Sequence, residues 1–388
     1  MIFQNKQNWK PTAIGEIAFE YSKRCDNPSN SGYDKFVGSE NIDRFDYKVK
    51  NWQSTDDVIS AMKLFEKDDY LLVRRSLYAS DFRERAPRAD FDGVCSGDIL
   101  TIKENEQKIA NGFLYCILNS KQVWEFIVAN ASGSITRRIK WPELSKLQIP
   151  LPPLSEQKQI AALFQSLETA MEQVDGQEKN LLQLKNKLLR DLFSDKKEFG
   201  NHLTAKDFET VRFDRIAINI SERVEPKKTE LKTYVGLEHL DADNLVIERT
   251  GTPDDVIGTK LKIYKGDIIF GKRRAYLRKV AVSHFDGIAS AHSMILRANE
   301  KNIEKDFLPY FMQSDAFMNR AVQISEGSLS PTIKVKTLAQ QEFNLPKKEK
   351  QKELVTVFKQ FDGTMQHLKQ QKTTLKLLKQ KLLNEILG

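Results

Sequence analysis

A chain of 388 residues is long enough for two or three domains, each with its own core. With 40% hydrophobic and 29% charged residues it has the composition of a globular protein in water, and no run of about 18 apolar residues offers a transmembrane helix. The net charge of +8 suits an anionic partner without requiring one. The opening stretch MIFQNKQNWKPTAIGE lacks the apolar core of a signal peptide. Cys25, Cys95 and Cys116 have neither paired nor CxxC spacing, so they read as ordinary thiols in a reducing cytoplasm.

Taken in chain order, the elements occur twice. IGEIA (14–18) matches FDRIA (213–217), and FVGSENID (36–43) matches YVGLEHLD (234–241). Tyr78 matches Tyr276, also at an offset of 198. A four-residue insertion in the first copy separates Tyr78 from Phe91. From FDGVCS (91–96) and FDGIAS (285–290) onward the offset is 194 without a gap. It carries Gly133-Ser134 onto Gly327-Ser328, Leu151-Pro152 onto Leu345-Pro346, and KNKLLRDLF onto KQKLLNEIL. An ungapped register of this length marks a duplicated unit. Each copy has a globular part with short β-like runs (DYLLVRR, GVCSGDILTI; DNLVIE, GDIIFG) and helical stretches such as FLYCILNSKQVWEFIVANA. The expected fold class is α+β with largely antiparallel strands, divided as 1–152, 153–198, 199–346 and 347–388.

The second and fourth segments predict long helices. Ile160, Phe164, Leu167, Met171, Val174, Leu181, Leu188 and Leu192 follow four-three spacing, with Glu178 and Lys185 in the same seam. Leu354, Phe358, Phe361, Met365, Leu368, Leu375, Leu382 and Ile386 repeat it, with Lys372 and Lys379 in the seam. Pro152 and Pro153 stop what precedes, and Ser155 is placed to cap the first helix; the second start keeps Pro346 but no good cap. Residues 153–194 carry five basic and six acidic residues, while 347–388 carry ten lysines and four acids. This contrast favours intramolecular pairing, which the chain path makes antiparallel, over each helix packing only on its own domain. The predicted whole is two domains joined by an antiparallel coiled coil with pseudo-two-fold symmetry.

Catalytic and metal motifs are missing. The five histidines form no cluster of metal-ligand spacing. GDIIFGKR (266–273) places Arg273 where a phosphate loop needs a hydroxyl, and its loop positions are β-formers. What recurs is basic residues beside an aromatic. Arg74, Arg75 and Tyr78 align with Lys272, Arg273, Arg274 and Tyr276; Arg83, Arg85 and Arg88 follow in the first copy, Arg278 and Lys279 in the second. A second cluster, Arg137, Arg138 and Lys140, aligns with Pro331, Thr332 and Lys334. Arginine can fork onto guanine edges or phosphates, and an aromatic can pack on a sugar or base. Each residue taken singly is equally compatible with solvated loop charge; recurrence of both clusters favours nucleic-acid readers.

The tandem arrangement, GSITRRIKWPELSKLQIPLPPLSEQKQIA, the helix ending KNKLLRDLF, and GDIIFGKRRAYLRKVAV together resemble the specificity subunit of type I restriction-modification systems over the whole chain. LPKKEKQKEL departs from the family's usual second helix start. The resemblance implies two target-recognition domains on helical spacers and a protein that is not itself an enzyme. It implies double-stranded DNA as ligand, with two methyltransferase subunits and restriction/translocase subunits as partners. S-adenosylmethionine, ATP and Mg²⁺ would belong to those partners, with no cofactor in this chain. Two unlike reading heads imply a bipartite, asymmetric site. A helix over 155–193 would span roughly 58 Å at about 1.5 Å per residue, so the half-sites should lie within about one and a half to two DNA turns of each other. The competing class is a stand-alone coiled-coil DNA-binding protein of structural or regulatory role.

Overall fold

A computed structural model describes residues 6–76, 83–193 and 202–388. It contains two compact units, one comprising the chain up to Gly176 together with Lys369–Gly388, the other Gln177–Leu368. Each long helix therefore contributes a segment to both.

In the first unit, Lys10–Ala13 pairs antiparallel with Gln148–Leu151 and closes the globular part just before the long helix. Phe208–Arg212 and Glu342–Pro346 do the same in the second. Between these strands lie two larger sheets. One holds Ala18–Glu20, Ile99–Glu104 and Tyr70–Val73; its counterpart holds Ala217–Ile220, Ser293–Ala298, Ile268–Gly271 and Val280–Val282. Tyr70–Val73 and Ile268–Gly271 are buried throughout, which is why they read as unbroken apolar runs. The other sheet is antiparallel except for one parallel pair per unit, Lys35–Val37 with Gly93–Cys95 and Tyr234–Val235 with Gly287–Ala289. The recurring FDG glycine has a steric cause here. A Cβ at Gly93 would stand 2.8 Å from the Phe65 ring, and one at Gly287 2.7 Å from the Thr233 carbonyl oxygen.

Two sequence expectations about the globular parts need correction. The helical stretch after Gly112 is two helices, Phe113–Leu118 and Lys121–Asn130, because Ser120 accepts from the Val123 N–H and caps the second. Ser314 repeats this between Phe307–Gln313 and Asp315–Gln323. DNLVIE (243–248) is not a strand: Asp243 takes a left-handed φ of 55°, and the backbone gives Val280–Val282 a single bond, from the Val282 N–H to the Leu245 carbonyl.

The long helices run Leu154–Leu192 and Lys348–Leu387, beginning at equivalent positions of the repeat. Ser155 is not the cap; it lies exposed inside the first turn. A buried glutamine holds each start instead. Gln157 donates to the Pro152 carbonyl (2.8 Å) and accepts from the Ala110 N–H (2.9 Å). Gln351, at offset 194, donates to the Pro346 carbonyl (2.8 Å) and accepts from the Glu304 N–H (2.7 Å). The second start is thus as well defined as the first.

In each unit the two helices run antiparallel. In the first, Glu168 meets Lys379 (3.2 Å) while Asp175 meets Lys372, an advance of seven on one helix matched by a retreat of seven on the other. In the second, Lys185 meets Asp362 at 2.6 Å. Ile160, Phe164 and Leu167 share a core with Phe113, Leu114, Leu383 and Ile386; Leu189 and Leu192 share one with Phe307, Leu354 and Phe358. Packing on the globular core and helix pairing are therefore both present.

Candidate nucleic-acid interface

The backbone brings the two basic clusters of the first copy together, and likewise the segments aligned with them in the second. In the first unit Arg75–Ser76 pairs antiparallel with Arg137–Arg138, and the Ile139 N–H donates to the Arg74 carbonyl at 3.1 Å. In the second, Arg273 bridges to Thr332, Arg274 N–H donates to the Pro331 carbonyl (2.8 Å), and Ile333 N–H donates to the Lys272 carbonyl (3.0 Å). Segments some sixty residues apart in sequence thus form one short basic ladder per unit.

The side chains on these ladders divide by what they touch. Arg75 (2.7 Å) and Arg138 (3.1 Å) both pair with Asp98, and Arg74 forks onto the Gly97 carbonyl (3.0 and 2.7 Å). Arg137 reaches the carbonyls of Val128 (3.0 Å) and Ala131 (2.9 Å) at the C-terminal end of Lys121–Asn130, where a cation complements the helix dipole. Arg88 pairs with Asp68 (3.1 Å) over the Tyr70 ring, and Arg85 donates to the Ser39 carbonyl (3.2 Å). Arg278 pairs with Asp243 (2.8 Å) and Asp315 (3.0 Å), and Lys279 donates to the Leu237 carbonyl (2.6 Å). Arg85, Arg88, Arg137 and Arg278 thus tie loops to their own unit.

Arg83, Lys140, Arg274 and Tyr276 are exposed, and no ion pair to another described residue holds the three cations. Lys334 pairs with Glu326 (2.6 Å) from a side chain 68% exposed. Tyr78 lies outside the described residues.

The two ladders differ in electrostatics. Arg273 donates to Ser330 Oγ (2.9 Å) and lies 3.5 Å from His292 Nε2. His292 occupies the place that Asp98 has in the first unit, at offset 194. Among the described residues no carboxylate pairs with Lys272, Arg273 or Arg274. Burial, with Arg273, Lys272 and Lys260, holds the His292 imidazole below its ordinary value. Burial and Arg223 lower the Lys272 ammonium likewise. The first ladder is partly neutralised by Asp98; the second is an uncompensated positive site, suited to an anion. Sequence reading missed Asp98, His292 and Ser330. The repeat register does align Asp98 with His292, yet it gives no sign that either touches an arginine. Among the described residues no His, Cys and carboxylate groups come together as a metal site, and no helix is long and apolar enough to cross a membrane.

Two α+β units, antiparallel long helices and a basic ladder in each unit define a duplicated DNA-recognition architecture. The family model for the type I restriction modification DNA specificity domain matches residues 7–184 and 225–377, and the chain belongs to that family as a type I restriction-modification specificity subunit. It is 22% identical to the type I restriction enzyme MjaVIII specificity subunit of Methanocaldococcus jannaschii, over 76% of this chain and 73% of that protein. It is 21% identical to the putative MjaX specificity subunit of the same organism, over 99% and 97%. The fold matches a structure described for complex assembly and conformational transition of the type I R-M system (TM-score 0.56, 18% identity, 97% and 96% coverage). It also matches the type I S subunit of M. genitalium (TM-score 0.52, 18% identity, 98% and 96% coverage).

Proposed function

We propose that this chain recognises a bipartite, asymmetric DNA site, each unit reading one half, and that it is the non-catalytic member of its complex. The observation that carries this reading is the basic ladder built twice on one scaffold with unlike side chains. Arg75, Arg138 and Asp98 stand in one unit, Arg273, Thr332 and His292 in the other. A repeated scaffold with different readers suits two different half-sites. Base-edge contacts from arginine supply specificity, and contacts from exposed cations to phosphates supply salt-dependent affinity. The chain would dock two methyltransferase subunits, which carry S-adenosylmethionine and methylate adenine. Through them it would engage restriction/translocase subunits that use ATP and Mg²⁺, in the cytoplasm.

The test is a genome-wide map of methylated adenines in cells with and without the gene, together with recovery of a methyltransferase subunit alongside the tagged chain. A gapped, two-part motif that vanishes with the gene is expected. A continuous palindromic motif, or no gene-dependent methylation with no co-purifying subunit, would overturn the reading.

A further inference from the structure

Each unit carries an apolar side chain in open solvent at the tip of the hairpin that extends its basic ladder. In the first, Ser132 and Arg138 exchange backbone hydrogen bonds (3.0 and 2.9 Å) and close a five-residue loop with Ile135 at its centre. In the second, Glu326 and Thr332 do so (3.0 and 2.9 Å), with Leu329 at the centre. Ile135 is 84% exposed and Leu329 91%. Gly133 and Gly327 open the two loops at φ 142° and 104°. At Gly133 a Cβ would lie 2.0 Å from the Thr136 carbonyl oxygen, so the tight turn that presents Ile135 requires glycine.

A single exposed leucine is ordinary, and recurrence alone is not decisive, since Ile59 (94% exposed) and Ile257 (86%) also recur at offset 198. What separates the hairpin tips is their position. The strand leading out of each tip is the one paired with Arg75 or Arg273. Across the repeat, Arg137-Arg138 has changed to Pro331-Thr332, yet the central position has stayed a large aliphatic in full solvent. That combination, cations at the base and an aliphatic at the apex, matches a duplex with phosphates at the groove rim and apolar base surface within it.

We infer that Ile135 and Leu329 enter a groove of the target duplex and contact base surface directly, one per half-site, as specificity-determining residues. An aliphatic side chain does this against a thymine methyl or an exposed base step, and such contact discriminates sequence without neutralising a phosphate. The inference rests on the DNA-reading function proposed above.

The test uses the full chain and two duplexes, one with its mapped site and one scrambled. Ile135→Ser and Leu329→Ser should each weaken binding to the mapped site on the order of tenfold. Binding to the scrambled duplex and the slope of log affinity against log salt should not change. Each variant should relax base discrimination in one half-site only, and Ile135→Leu should retain binding. Both positions lie in solvent, so folding is not at stake. Unchanged affinity for the mapped site would overturn the inference, as would a parallel loss on both duplexes with a smaller salt slope. If the unsubstituted chain does not distinguish the duplexes, the DNA-reading function itself fails.

Discussion

Single residues decide how two copies of one scaffold come to differ. Asp98 holds two arginines of the first ladder, whereas His292 faces Arg273 in the second. The histidine is depressed by burial and by Arg273, Lys272 and Lys260. Below about pH 6.5 the unfolded chain therefore binds a proton that the folded site resists. Stability contributed by neutral His292 is lost as pH falls from there through the folded value. A bound phosphate or base edge reverses the repulsion, so DNA binding should take up a proton. Affinity for the mapped site should rise as pH drops from about 7.5 to about 5.5, and His292→Asn should flatten that rise. Titration of binding by anisotropy over this range decides it; the same pH dependence in the asparagine variant would show that other groups produce it. The ladder residues could be read from the repeat. Their partners could not, because Asp98 reaches Arg75 across 23 residues of sequence through the fold alone.

At the scale of elements, the heptad seam gave the long helices and the chain path their antiparallel sense, and the three seam lysines, Lys185, Lys372 and Lys379, all make ion pairs across the helices. Lys379 is 1% exposed, between Glu168, the Phe45 carbonyl (2.8 Å) and the rings of Tyr47 and Tyr115 (5.5 and 5.0 Å). Lys185, its repeat equivalent, pairs with Asp362 and lies 5.2 Å from the Tyr310 ring. The two ion pairs are copies of each other, as Glu168 and Asp362 are also equivalent. Burial lowers the Lys379 ammonium, and Glu168 opposes that shift. Glu168→Leu strands a buried cation and should destabilise by about 3–5 kcal/mol, whereas Glu168→Leu with Lys379→Met should recover most of the loss. Thermal unfolding of the three proteins checks this; equal destabilisation by the single and double variants would show that packing, not stranded charge, sets the cost.

For the whole molecule, the proposed function makes helix length a ruler. Seven residues inserted at facing positions of both long helices keep the heptad phase and add about 10 Å, equal to about three base pairs. The gap between the methylated half-sites should lengthen accordingly while the half-site bases stay the same. Methylation mapping reads both at once; an unchanged gap, or altered half-site bases, would contradict the ruler.

The sequence by itself determined the duplication, the α+β class and the two helices, because these are written in local register and period: an offset, an alternation, a four-three repeat. It also named most of the ladder cations. Tertiary structure alone decided which cations are spent on the fold, as Arg137 and Arg278 are, and which face solvent, as Arg274 does. It also decided that glutamine rather than serine holds each helix start. Those outcomes depend on partners set by the fold: the loop that returns Arg137 to the helix end behind it, the carboxylates of Asp243 and Asp315 for Arg278, and the N–H groups of Ala110 and Glu304 for the two glutamines. Such contacts leave no periodic trace in the chain.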